Sequence, residues 1–512
     1  MDDDCEIKNL PADSPEAYGY WRRLIGPLHH AEEGTLKIML HKQLVSAICS
    51  GRLAAGTALP SQRALARALS ISRNTVIQAY LLLATEGLVD TRDRSRHRVS
   101  NIAHDVSQAR TSAPCGQERP AHPVSWSERL IGSVSKQRPL QRDPRWRESR
   151  YAFIYGQCDQ ELFPLAQWRE VQRDTLSATA LRRWAGDPYD EDNAYLVKQI
   201  CSTLLPRRGL WAVPEEILIT SGIQNALAIL SLLLLGPDYR CAFEDPGHPD
   251  LRAVLRLRSA NIQNVLVDEE GLRVADLTPG ISMLYCSPVM QFPTTAPMSA
   301  SRRAQLYYYA RQNDTIIVED DVDSEAWFAG DAPYALKADD PDGRVIYLGT
   351  FSKALAPGLR LGFMVAPPHV IHEARLIRRL LMRSPPTNNQ ATLGEFIGRG
   401  YYSGLVCRAR QTWEKRARIL SDSVARHMPD TVLAPIHGGS AGWLTLPDGV
   451  RSDQFCRSLA AHSIYADDGG MFYRHRDVPQ ALRLGFTSMS TGIIEDGIER
   501  MGHILQTAAR DV

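Results

Sequence analysis

Lys353 closes the segment Gly349-Thr350-Phe351-Ser352-Lys353, directly after the apolar run Val345-Ile346-Tyr347-Leu348, and Arg360 follows seven residues later. Two other apolar runs end in a comparable way. Ile316-Ile317-Val318 leads into Glu319-Asp320-Asp321, and Ile217-Leu218-Ile219-Thr220 leads into Ser221-Gly222-Ile223-Gln224. A primary amine, a carboxylate and a glycine-opened helix start are thus each delivered at the exit of an expected strand. An amine condenses with an aldehyde, a carboxylate keeps a heteroaromatic nitrogen protonated, and free amides at a helix start hold an anion. A lone lysine after a strand is ordinarily a surface cation. Together the three groups form the set that pyridoxal 5'-phosphate requires.

Such groups converge only if one sheet carries all three strands. From about residue 150 onward, short apolar runs that end in polar clusters alternate with helical stretches, which predicts an α/β fold with a mainly parallel sheet. Ligands of such sheets gather at the carboxyl ends of the strands, where these residues fall.

The N-terminal part has another character. Residues 34–100 hold ten Lys and Arg against three acids, although the whole chain has 59 basic and 58 acidic residues and a net charge of +1. A basic module on a near-neutral body is expected. Leu36, Met39, Leu40, Leu44, Ala47 and Ile48 recur at helical spacing before Gly51. Pro60-Ser61 opens a second short helix with Leu65 and Leu69 inward, and Ser72 caps a third that buries Val76, Ala79, Tyr80 and Leu83 and ends at Gly87. The turn Ser70-Ile71-Ser72 suits a helix-turn-helix. Leu88–Thr91 and His97–Ser100 then predict two wing strands joined by the basic tip Arg92-Asp93-Arg94-Ser95-Arg96.

This arrangement points to double-stranded DNA. Arg73, Asn74, Thr75 and Gln78 occupy the first turns of the third helix, the part of a recognition helix that reaches base edges. Arg63, Arg94 and Arg96 are placed on the phosphate backbone, which positions without specifying, and Ser61 and Ser72 complete the set.

The 512 residues, 44% hydrophobic and 23% charged, are those of a multi-domain globular protein. The chain is divided into an N-terminal extension (1–33), a winged helix-turn-helix domain (34–100), a linker rich in Ser, Pro, Arg and Gln (101–148) and a large domain (149–512). Its nine scattered cysteines lack the spacing of a zinc or redox motif and no metal is expected. The acidic start Met1-Asp2-Asp3-Asp4 lacks a signal-peptide pattern, and the longest apolar run, Ala226–Leu235, falls short of the ~20 residues that span a bilayer. A cytoplasmic protein without membrane contact is expected.

Two resemblances follow from these motifs. Ser61-Gln62-Arg63 with Leu65-Ala66, Ser72-Arg73-Asn74-Thr75-Val76, Ala79-Tyr80 and Glu86-Gly87 resemble the GntR-family winged helix, although the wing tip Arg94-Ser95-Arg96-His97 lacks that family's usual glycines. Asp159 with Leu162-Phe163-Pro164, Gly186-Asp187-Pro188, Glu244-Asp245-Pro246-Gly247, Gln291-Phe292-Pro293-Thr294, Glu319-Asp320-Asp321 and the Lys353 segment resemble the fold-type I aminotransferase domain of MocR-type (GabR-like) regulators.

The second resemblance implies that Lys353 is the Schiff-base lysine and Asp320 the pyridinium partner. It further implies that Ser221, Gly222, Ile223, Ser352 and Arg360 form the phosphate cup, that His248 stacks on the ring, and that Arg483 binds the carboxylate of an amino-compound effector. A homodimeric regulator that binds an operator and uses the domain for sensing rather than turnover is implied. Val322, Met290 and Ala185 stand where the family carries tyrosine, histidine and tyrosine. These departures leave two alternatives: an aminotransferase with an accessory DNA-binding domain, and a regulator whose large domain no longer binds the cofactor.

Overall fold

The computed structural model describes residues 17–26, 36–93, 96–100, 125, 129–130, 137 and 140–508, the last stretch without 155, 158, 260 and 475–477. The chain divides into two compact units, Met1–Leu130 and Ile131–Val512.

In the first unit, α1 (Ala17–Ile25), α2 (Leu36–Cys49), α3 (Gln62–Leu69) and α4 (Arg73–Thr85) precede the hairpin β1 (Val89–Asp93) and β2 (Arg96–Val99). Ser61 and Ser72 are the N-caps of α3 and α4 and accept from the amides of Ala64 and Thr75. Ser70 takes a left-handed conformation at the end of α3, which turns the chain sharply into α4. The buried face of α4 is Val76, Ala79, Tyr80 and Leu83, as its period predicts. Two features differ from the sequence expectation. The wing strands reach Asp93 and begin again at Arg96, because cross-strand pairing persists into residues that composition assigns to a loop. Within the expected extension, α1 buries Trp21, Leu24 and Ile25 in the core shared by α2, α3 and α4. Nine residues with a glycine and two arginines give too short a period to read.

The second unit is built on an eight-stranded sheet in the order β4-β11-β10-β9-β8-β5-β6-β7. Its strands are β4 (Ile217–Thr220), β5 (Cys241–Asp245), β6 (Ile262–Asp268), β7 (Gly271–Leu272), β8 (Met283–Cys286), β9 (Ile316–Asp320), β10 (Val345–Thr350) and β11 (Gly362–Val365). β10, β9, β8, β5 and β6 run parallel, while β11 and β7 are antiparallel to their neighbours. Both faces are covered. Val318 and Ile346 join one apolar cluster with α5 (Ile223–Leu234), and their chain neighbours Ile317 and Val345 join another on the opposite face. Strands buried on both faces read as unbroken apolar runs, which explains why these segments show no alternation.

A second, mainly antiparallel sheet follows, in which β12 (Val432–Leu433), β13 (Ala441–Thr445), β15 (Ala481–Gly485) and β14 (Ile464–Asp468) are closed by β3 (Tyr151–Phe153). The end of the expected linker belongs to this unit. Arg142 makes a two-pronged ion pair with Asp467 at 2.6 and 2.8 Å, and the amide of Leu140 donates to Asp250. A single arginine and leucine carry no period, so composition alone could not show this docking. Among the described residues no helix is long and apolar enough to cross a membrane.

Candidate functional site

The exits of β4, β5, β9 and β10 meet around a cleft of about 840 Å³, counting its open mouth, within the range of small-molecule sites. Gly222, Ile223, His248, Asp320, Ser352, Lys353 and Arg360 all line it. The amine and the acid therefore share one pocket, which their positions at parallel strand ends predict.

Of the three acids Glu319, Asp320 and Asp321 at the exit of β9, only Asp320 lines this cleft. Glu319 turns to the opposite face and accepts from the amides of Leu336 and Lys337 at 2.6 and 2.9 Å. Asp321 is held by Arg208 at 2.7 Å and by the Tyr347 hydroxyl at 2.6 Å. Asp320 accepts from the Val322 amide at 3.0 Å and from the Tyr285 hydroxyl. Burial pushes its carboxyl up to about 7, against the lowering effect of those two hydrogen bonds.

Lys353 is shifted the opposite way. Burial lowers its amine to about 7, with the charges of Arg483 and Arg142 acting in the same sense and those of Asp323 and Asp320 opposing. Gly156 lies against the amine. A Cβ built there would stand 2.8 Å from Nζ, and the residue's φ of +85° is strained for any other side chain. His248 is lowered to about 3 by burial, then by Lys353 and Arg483, so its imidazole is neutral. Its ring lies 4.9 Å from that of Phe292.

Gly222, Ile223, Ser352 and Arg360, the residues expected to take an anion, line the cleft together. Gly222 has φ +96°, and a Cβ built on it would meet the Arg360 guanidinium at 3.7 Å, filling the corner. Arg360 donates to the Ser221 carbonyl at 2.8 Å. Ser221 itself is not brought to the cleft wall. Its amide donates to Asn225 Oδ1 at 3.0 Å and its hydroxyl faces Met382 Sδ.

Arg483 is buried, stands 4.2 Å over the Phe292 ring and donates to the Pro293 carbonyl at 3.2 Å. It pairs in register with Asp467, the acid that holds Arg142. Arg142, Tyr285 and Gly156 are site residues that sequence reading missed. The only signal open to it was the glycine.

The three departures differ in place. Val322 lines the cleft, Met290 is buried in an apolar cluster with Val289 and Trp327, and Ala185 is exposed at the end of a short helix.

In the N-terminal unit Arg63, Arg73, Asn74 and Gln78 are exposed, the last three along the first turns of α4. Thr75 is partly occupied. Its amide and hydroxyl both bond the Ser72 hydroxyl, at 3.1 and 2.8 Å, so its first task is capping. Tyr80 fixes α4 by donating to the Pro60 carbonyl at 3.0 Å. Arg94 lies outside the described residues, and the side chain of Arg96 is likewise not described.

Residues 38–99 match the family described as bacterial regulatory proteins, gntR family, and residues 159–501 match aminotransferase class I and II. The chain is 35% identical to the HTH-type transcriptional regulator TauR of Rhodobacter capsulatus over 93% of its length and 97% of the relative's. It is 29% identical to the probable rhizopine catabolism regulatory protein MocR of Rhizobium meliloti, over 90% of this chain and 92% of the relative. Among solved structures, kynurenine aminotransferase of Pyrococcus horikoshii in complex with PMP superposes with a TM-score of 0.68 at 26% identity, covering 75% of this chain and 98% of that one.

Proposed function

The chain belongs to the family of HTH-type transcriptional regulators that join a GntR winged helix to an aminotransferase class I and II domain, and from that premise we propose that it binds its operator in response to pyridoxal phosphate and an amino compound. The observation that carries this reading is the convergence of Lys353 and Asp320 on one cleft beside the corner left open by Gly222.

The residues fit the cofactor. When bound, it supplies an aldehyde that captures amines and a ring that draws electrons. Lys353 attaches it through an amine whose lowered pKa leaves a large neutral fraction at physiological pH. Asp320 would partner the ring nitrogen, and the Tyr285 hydroxyl holds that carboxyl in place from the neighbouring strand. Gly222, Ile223, Ser352 and Arg360 would hold the phosphate. Neutral His248 would offer a flat face to the ring, and Arg483 would take the effector's carboxylate. Val322 supplies no hydroxyl to the ring, which favours sensing over turnover.

The protein works in the cytoplasm as a homodimer, whose two heads read half-sites of one operator. Ligand response requires that cofactor and effector bind two states unequally.

The test is a titration of pyridoxal phosphate and amino acids into the full-length protein, followed by visible absorbance and by binding to the promoter beside its own gene. The expected result is a visible band together with a change in operator affinity. A colourless protein, or steady release of keto acid from an amino donor, overturns the reading. Arg73→Ala should cost ~1–3 kcal/mol of specific binding and leave the band unchanged. Equal operator affinity for this variant and the wild type counts against the assigned recognition helix.

A further inference from the structure

A second cavity, of about 1290 Å³ counting its mouth, opens along α6 (Pro249–Arg256). His248, the N-cap of α6, lines the cofactor cleft, whereas Arg252 and Arg256, one and two turns further along, line this cavity together with Arg474. Residues four apart share a helix face, so the stripe runs from one site into the other.

The charges here are unbalanced. Arg252 is buried, and its Nη2 donates to Asp245 at 3.0 Å and to the carbonyls of Glu244 and Phe472 at 3.2 and 3.1 Å. Its buried Nε has no hydrogen-bond partner among the described residues. Asp245 pairs with Arg252 and also accepts from the Arg474 amide at 3.0 Å. Half-buried Arg256 and exposed Arg474 make no ion pair among the described residues. Of the two acids in the lining, Asp453 is held by Arg451 at 3.1 Å and Arg457 at 3.2 Å, while Asp468 accepts from the neutral Ser452 hydroxyl at 2.7 Å and Gly470 amide at 3.0 Å and keeps its charge. The mutual repulsion is visible in Arg256, whose guanidinium is shifted down by burial and by the charge of Arg474.

Among the described residues of this lining, Arg252, Arg256, Arg451 and Arg474 stand against Asp453 and Asp468, and the net cationic wall suits a compact dianion. A phosphate monoester, which carries about −1.5 to −2 at neutral pH with three strong acceptor oxygens, has that charge and size. We propose that this cavity binds a small phosphate-bearing ligand, distinct from any phosphate held at Gly222 and Arg360. The frame is shared with the cleft. Arg252 and the Gly247 amide both donate to the Phe472 carbonyl, and the Phe472 ring meets Phe292 at 5.3 Å, which in turn contacts His248. A ligand on Arg252 and Arg256 therefore bears on the position of His248.

The experiment is calorimetric titration of the full-length protein with inorganic phosphate and with glycerol 3-phosphate, comparing wild type, Arg256→Ala/Arg474→Ala and Arg360→Ala. Saturable binding that survives in Arg360→Ala and weakens about tenfold or more in the double variant supports the site, since charge-assisted hydrogen bonds to phosphate are lost. Tighter binding of the ester than of the free ion assigns it to a phosphorylated organic ligand, and equal binding assigns it to phosphate itself. The thermal midpoint of the double variant should stay at or above that of the wild type, because repulsion is relieved. Absence of saturable heat, unchanged binding in the double variant, or loss confined to Arg360→Ala overturns the proposal. So does a fall in operator affinity of the double variant without phosphate, which would assign these arginines to the duplex.

Discussion

Lys353→Ala incubated with pyridoxal phosphate and passed through a desalting column is expected to be colourless, while the wild type keeps a visible band. The expectation rests on the covalent nature of the anchor: among the described residues no other primary amine lines the cleft. Lys353→Arg should be equally colourless, since a guanidinium retains the charge but does not condense with an aldehyde. A band that survives in either variant sinks the assignment of the anchor.

The same lysine sets a pH dependence. Its folded pKa of about 7 lies well below the ~10.4 of an unperturbed lysine. Only the neutral amine attacks, so the rate of cofactor uptake should rise with pH and level off above about 7. Stability follows from linkage. Between the two values the unfolded chain binds more protons, so the cofactor-free protein gains stability from this group as pH rises from about 7 toward the unfolded value. A rate that keeps climbing to pH 10 removes the argument that the amine is tuned by burial.

What could be read in the sequence was whatever a strand end or a helical period makes local. Lys353, Asp320 and Gly222 announce themselves by following apolar runs, and Val76, Ala79, Tyr80 and Leu83 by their spacing. Pairings across long sequence separations were silent. Arg142 reaches Asp467 over 325 residues, and Tyr285 reaches Asp320 across two strands. Ser221 lies off the cleft wall for a local reason, because a side chain only four residues away, Asn225, takes its amide. The second sheet was also invisible, since its strands are only two to five residues long and β3, which closes it, lies nearly 300 residues before the others.

The largest expected loss of stability comes from one such silent pairing. β4 is the edge of the main sheet, and among the described residues no strand bonds its backbone groups on the side away from β11. Side chains serve instead. The Ile219 amide donates to Asp192 at 3.3 Å, Arg378 donates to the Ile219 carbonyl at 2.7 Å, and Arg375 donates to the Ile217 carbonyl at 3.0 Å. Both arginines, from α7 (Pro368–Met382), also close on the Asp192 carboxylate. This cluster covers an edge that would otherwise be open to pairing with another chain. It also fixes the strand that presents Gly222 to the cleft.

Arg378 is fully buried, and burial lowers its pKa while Asp192 opposes that shift. Asp192→Ala would leave that guanidinium uncompensated in the interior. The expected cost is ~3–5 kcal/mol in chemical unfolding of the large domain, with weaker retention of pyridoxal phosphate as Gly222 loosens. Asp192→Leu combined with Arg378→Met should recover most of that loss, because replacing both charges by apolar groups of similar volume removes the unpaired ion, though it leaves the edge groups less well bonded. If Asp192→Ala costs no more than the ~0.5 kcal/mol of an ordinary surface substitution, the cluster is not what holds β4 against α7.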